Sequence, residues 1–164
     1  MSGNEIWTMK CLAVIAGLFP AVLAPHTVNA EPDSEVITFM NYYLETFDTG
    51  HAGDITELYN DPFFMIAPNG DVRTFETEKG IRREIRQWKF YMKKEGVVDS
   101  RYLELNVKAL SSDVAIASAV VDRFDDDGNV LAHTGATYSL LRREGAWKVF
   151  SIQIHDPDKI LRFQ

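Results

Sequence analysis

The sequence predicts an α+β domain in which a cone-shaped, curved antiparallel sheet packs against three N-terminal helices. Three observations carry that expectation. Residues 113–157 read as β-rich runs joined by Asp126-Asp127-Gly128-Asn129 and by Glu144-Gly145. Turns of the Asp-Gly type between such runs signal hairpins. Upstream, apolar residues recur at helical spacing rather than alternating. Helices gathered ahead of a block of strands make an α+β domain. A long twisted sheet covered on one side by amphipathic helices curls and encloses a pocket.

The elements follow in order. Asp33 or Ser34 can cap a first helix, on which Val36, Met40, Tyr43, Leu44 and Phe47 form one stripe. Asp48-Thr49-Gly50 ends it, and a short second helix fits residues 54–59. Asn60-Asp61-Pro62 turns the chain. Residues 63–67 and 71–75 then form a small hairpin through Pro68-Asn69-Gly70. Thr77 caps a third helix that repeats Ile81, Ile85, Trp88 and Met92 on one face, and Gly96 closes it. Residues 100–110 form a strand with Leu103, Leu105, Val107 and Ala109 on one face. The runs at 113–124, 130–143 and 146–156 complete four antiparallel strands.

Composition bounds the function. The chain has 164 residues, 24 acidic and 17 basic, with a net charge of -7. That length suits one domain with its own core, and that charge makes a poor nucleic-acid binder. Residues 1–30 have the layout of a signal peptide: Lys10, an apolar run from Cys11 to Leu23, and Val28-Asn29-Ala30 as a small-residue cleavage site. The apolar run, roughly 13 residues, is too short to span a bilayer. Met9-Lys10 makes a more typical start than Met1. The expected organisation is a leader at 1–30 and one domain at 31–164, secreted or periplasmic, free of the membrane once the leader is cleaved. The single cysteine, Cys11, lies in the leader, so the mature domain has neither a thiol nucleophile nor a thiolate ligand. Two-histidine metal spacing, phosphate-cradling glycine loops and dinucleotide fingerprints are all missing. No cofactor and no metal are expected.

The order of elements, together with Leu58-Tyr59-Asn60-Asp61-Pro62-Phe63-Phe64, Ala67-Pro68-Asn69-Gly70, Ser112-Asp113-Val114-Ala115, Tyr138-Ser139-Leu140-Leu141-Arg142-Arg143 and Gly145-Ala146-Trp147-Lys148-Val149, resembles the nuclear transport factor 2-like (NTF2-like) superfamily. The likeness is in particular to its SnoaL-like and ketosteroid-isomerase-like members. The resemblance implies a cone with a pocket. The superfamily spans isomerases, cyclases, dehydratases, epoxide hydrolases and non-catalytic modules, so it implies no single chemistry. In the ketosteroid-isomerase-like enzymes a general-base aspartate precedes the proline of the first hairpin. Here that position is Ala67, before Pro68, and an alanine takes no proton. Tyr42 or Tyr43 matches the phenol donor of those enzymes.

Two-residue turns at both hairpins would set Asp122 opposite His133 and His133 opposite Asp156. That makes a polar row across three strands. A histidine between carboxylates suits proton transfer. Judged by side-chain size, the face carrying this row with Val114, Ile116, Val120, Phe150, Ile152 and Ile154 is expected inside. The face with Ala115, Ala117, Ala119, Thr134, Tyr138, Ser151 and Gln153 is expected outside. Tyr43, Phe64, Trp88 and Tyr91 are the expected pocket wall. The favoured reading is an exported protein, a homodimer, that binds a small apolar molecule. The alternative is an isomerase, cyclase or dehydratase using His133 with Asp122 or Asp156.

Overall fold

A computed structural model describes residues 32–163 of the chain. The expected leader lies outside the described residues. Three helices, α1 (Pro32–Thr49), α2 (Ala52–Thr56) and α3 (Glu78–Lys94), precede or interrupt six strands. These are β1 (Tyr59–Ile66), β2 (Val72–Phe75), β3 (Asp99–Ala109), β4 (Val114–Phe124), β5 (Val130–Arg143) and β6 (Ala146–His155). They form one curved, open sheet in the order β2-β1-β6-β5-β4-β3. The expected α+β architecture is present. One junction departs from a purely antiparallel sheet: β1 runs parallel to β6, with an irregularity between Tyr59 and Phe64. Pro62, which lacks an amide hydrogen, sits inside that irregularity.

The helical stripes bury as their spacing predicts. Val36, Met40, Tyr43, Leu44 and Phe47 of α1 and Ile81 and Ile85 of α3 lie in one core cluster. Thr77 caps α3 by accepting from the Gly80 amide at 3.2 Å. Asp33 does something other than capping. Its Oδ1 accepts from the Ala109 amide at 2.5 Å, tying the start of α1 to the end of β3. Lys89 of α3 closes the far end of α1. Its Nζ donates to the carbonyls of Phe47, Asp48 and Gly50 at 3.0, 3.2 and 2.8 Å. These are the acceptors that a helix C-terminus leaves unpaired, and a cation there also opposes the helix dipole.

The sheet faces are the reverse of the size-based expectation on β4 and β5. Ala115, Ala117, Ala119 and Val121 of β4 and Ala136, Tyr138 and Leu140 of β5 point into the core. Val114 and His133 are on the outer side, Val114 still 38% exposed. The reason is room. α1 lies across β3 and β4 and brings large side chains of its own, so the strands beneath it supply alanine. A methyl group under a close helix packs better than an isoleucine.

Bulges account for the remaining differences. Leu103 is the extra residue of a bulge between Tyr102 and Glu104 and is 66% exposed rather than in line with Leu105 and Val107. The 125–129 turn closes with Asp125 N–H donating to Asn129 O at 3.1 Å. A bulge at Leu131 then restores Asp122 to its place opposite His133. Glu144 (φ 51°) and Gly145 (φ 82°) form the two-residue turn expected between β5 and β6. A further bulge at Phe150 shifts the pairing by one, so that Gly135 meets His155. Among the described residues, no helix is long and apolar enough to cross a membrane.

Replacing Lys89 by methionine leaves three carbonyls of the α1 terminus without their donor. Urea unfolding of Lys89→Met should show a loss of about 1–3 kcal/mol. An unchanged midpoint would mean that the ammonium contributes nothing to the α1–α3 junction.

Candidate ligand-binding site

The two long helices leave the middle of the concave face open. α1 packs on β3 and α3 packs on β1 and β2. A cleft of about 580 Å³ lies between them, within the usual size range of small-molecule sites. α1 gives it Tyr43 and Phe47; α3 gives Trp88, Tyr91 and Met92, and Glu95 follows as the C-cap of α3. The sheet gives Met65, Arg123, Thr134, Tyr138, Ile152 and Ile154, with Leu131 and Ala132 at the end of β5. α3 stops at the mouth because Gly96 takes φ 80° and lets the Val97 amide return to Met92 O at 2.9 Å.

The floor carries the buried phenols Tyr43 and Tyr138, and the phenols of Tyr59 and Tyr102 lie behind it, outside the lining. Tyr43 stands edge-on to Tyr138 (centroids 5.7 Å) and to Tyr59 (5.9 Å). Tyr43 and Tyr59 share a hydroxyl hydrogen bond of 2.7 Å. Tyr102 donates to Met40 O at 3.2 Å. Burial pushes the phenols of Tyr43, Tyr59 and Tyr102 above their ordinary range. Burial also raises Tyr138, to about 12, although Arg123 pulls it down. These groups are therefore neutral hydroxyls across the physiological range, able to donate but not to act as bases.

The cleft lining has two charged residues, Arg123 and Glu95. Glu95 is exposed at the mouth, whereas the Arg123 side chain is 23% exposed. Arg123 Nη1 donates to Ser100 Oγ, and Ser100 in turn donates to Asp48 Oδ1 at 2.7 Å. Asp48 is 3.8 Å from the guanidinium. Burial raises the Asp48 carboxyl; the Ser100 hydrogen bond and Arg123 oppose that shift.

Of the four expected pocket residues, Tyr43, Trp88 and Tyr91 line this cleft. Phe64 does not: it follows Phe63, which faces the core, so it points to the outer side and packs against Phe150 at 5.1 Å between centroids. The expected polar row is shortened to a pair. His133 Nδ1 and Asp122 Oδ1 are 2.5 Å apart, on the outer face, away from the cleft. Asp156 is off the row because the Phe150 bulge shifts β6. It caps the short 3-10 helix Pro157–Lys159 by accepting from the Asp158 amide at 2.9 Å. The same shift brings His155 to the outer face, where Thr137 meets its Nε2 at 2.9 Å. Ser118 extends that chain to the Leu161 amide, so it fastens the C-terminal segment. Among the described residues, no group of three histidine, cysteine or acidic side chains could hold a metal.

Sequence reasoning missed Arg123 and Met65 as lining residues and placed Thr134 and Tyr138 outside, whereas Ile152 and Ile154, expected inside, line the cleft. The alternation Ala115, Ala117, Ala119, Val121, Arg123 was the available signal. Once the alanines are inside, Arg123 is inside with them.

Residues 34–157 match the family model described as NTF2-like protein (DUF6841). The chain belongs to this NTF2-like family. The expected resemblance thus holds at the level of the superfamily. The fold is similar to that of Aln2 from a Streptomyces species, with 18% identity over 76% of this chain and 90% of that one and a TM-score of 0.61. It is similar to an NTF-2 like protein of unknown function from Shewanella oneidensis (17% identity, 76% and 99% covered, TM-score 0.60). It is also similar to a Catenulispora acidiphila protein in complex with S-DNPA (16% identity, 74% and 91% covered, TM-score 0.56). Identities this low show the fold alone. None of the curated proteins compared with the chain matches it.

The buried phenols link stability to alkaline pH. Their folded pKa values lie above the ordinary 10.0. The unfolded chain therefore loses protons that the folded chain keeps, and stability, full below pH 10, falls as pH rises toward 12. The denaturation midpoint should drop across that window, less so in Tyr138→Phe. A midpoint that is flat from pH 10 to 12 would contradict the burial of these phenols.

Proposed function

We propose that this NTF2-like chain is an exported domain that holds a small apolar molecule in the concave cleft. The observation that carries the reading is the lining: Phe47, Met65, Trp88, Met92, Ile152 and Ile154 meet around one opening with neutral phenols on its floor. Apolar walls with few, fixed polar groups are what a small-molecule site needs. The Catenulispora acidiphila protein in complex with S-DNPA supports ligand binding within this fold. Export rests on the pattern of residues 1–30. The enzyme reading draws less support. Asp122 and His133 face away from the cleft, Asp156 caps a turn, and Ala67 stands where an isomerase base would be.

Titration with N-phenyl-1-naphthylamine, a neutral dye that brightens in apolar surroundings, tests the binding reading. Saturable one-to-one binding is expected. Ala132→Trp, at an exposed lining position, should weaken it by about tenfold or more by filling the mouth. Phe64→Ala, on the outer face, should leave it unchanged. No saturable binding, or equal loss in both variants, would overturn the reading. Export predicts an intact mass that begins at Glu31; a secreted product retaining residues 1–30 would contradict it.

A further inference from the structure

The geometry points to a particular ligand class for the cleft: an apolar, ring-containing molecule with one anionic oxygen-acid end that meets Arg123. This inference rests on the binding reading above and deepens it.

Charge is unevenly placed in this molecule. The chain as a whole carries -7, so its long-range field repels anions. Inside the cleft the balance is different. Glu95 is at the open mouth, where water screens it. Arg123 lies further in, beside Phe47, whose ring is 5.8 Å from the guanidinium carbon. A cation flanked by low-dielectric aromatic walls acts more strongly than one in bulk water.

Arg123 also has donors to spare. A guanidinium has five N–H donors in a planar fork. In Arg123 the Nη1 edge is used: it donates to Ser100, and Asp48 lies 3.8 Å away. Among the described residues, Nε and Nη2 of Arg123 make no hydrogen bond to the protein, although the residue lines the cleft. One edge is thus held by the fold and the other is left for a partner. Ser100 and Asp48 fix the fork rather than saturate it, which lowers the cost of ordering it around a ligand. Thr134 and Tyr138 border the same cleft with hydroxyls, and the Tyr138 hydroxyl, protonated up to about 12, is able to donate. All these features favour an oxygen anion at this end. The rest of the wall favours rings, because Tyr43, Phe47, Trp88 and Tyr91 offer faces and edges for stacking.

The test uses two probes with one hydrocarbon skeleton: 1-anilinonaphthalene-8-sulfonate and its uncharged parent, N-phenyl-1-naphthylamine. With the full-length mature protein, the sulfonate should bind tighter than the parent despite the acidic net charge, by about tenfold at low salt. Added sodium chloride should weaken the sulfonate and leave the parent unchanged. Arg123→Gln should abolish the preference, the sulfonate losing about tenfold more affinity than the parent. If the parent binds and the sulfonate binds no tighter in wild type, the anion assignment is overturned while the cleft reading stands. Equal weakening of both probes in Arg123→Gln overturns it too, because a purely structural arginine would do that. If neither probe binds wild type, the cleft reading falls and the assignment falls with it. Should Arg123→Gln lose its cooperative melt, the wild-type preference and its salt dependence decide alone.

Discussion

Six strands present a wider concave surface than two helices can cover, and the site follows from that mismatch. The alanine run of β4 lets α1 come close to β3 and β4. α3 settles on β1 and β2 at the other side. The strip over β5 and β6 is left between them and becomes the cleft. Lys89 joins the two helices at one end of that strip by holding three carbonyls of the α1 terminus. A bulkier residue at Ala117 or Ala119 would lift α1 and change the width of the opening. Helix packing and the width of the cleft are therefore one problem in this fold.

The chemistry of the strip supports the proposed host over a base. Burial moves the phenols of Tyr43 and Tyr138 still further above the physiological range. The strip's interior charge is a cation whose other edge is anchored through Ser100 to Asp48. Asp48, the nearest carboxylate to that cation, is occupied by Ser100. The histidine–aspartate pair with an acid–base look, His133 with Asp122, is turned to the other side of the sheet. Neutral donors, one fixed cation and aromatic walls favour retention of a molecule with a polar end over removal of a proton from it.

Much of the fold was legible from periodicity and turn chemistry. The stripes Val36–Met40–Tyr43–Leu44–Phe47 and Ile81–Ile85 bury as written, and Glu144-Gly145 turns where expected. The site was legible only in part: Tyr43, Trp88 and Tyr91 lie on helical faces whose direction spacing reveals. Phe64, Asp156 and Arg123 depend on strand register and on which sheet face is covered, and both were set by features with weak sequence signals. The bulge at Phe150 moves β6 by one residue and carries Asp156 off the row. The covered face was misjudged because size was taken as the mark of burial, whereas a close helix selects alanine. Asp122 and His133 met despite a turn closed at Asp125 and Asn129 because the bulge at Leu131 compensates for it. Right partners on the wrong face show that pairing and facing are separate questions.

Whether the concave side of the sheet is the binding side is tested most directly by methyl NMR spectra of the protein during titration with N-phenyl-1-naphthylamine. The methyl signals of Met65, Met92, Ile152 and Ile154, which line the cleft, should move together and saturate together. Ile116, on the opposite face of β4 from the core alanines, should stay still. Shifts centred on Ile116 and on the rings of Phe64 and Phe150, with the cleft methyl groups unmoved, would contradict the claim and place the binding surface on the outer face.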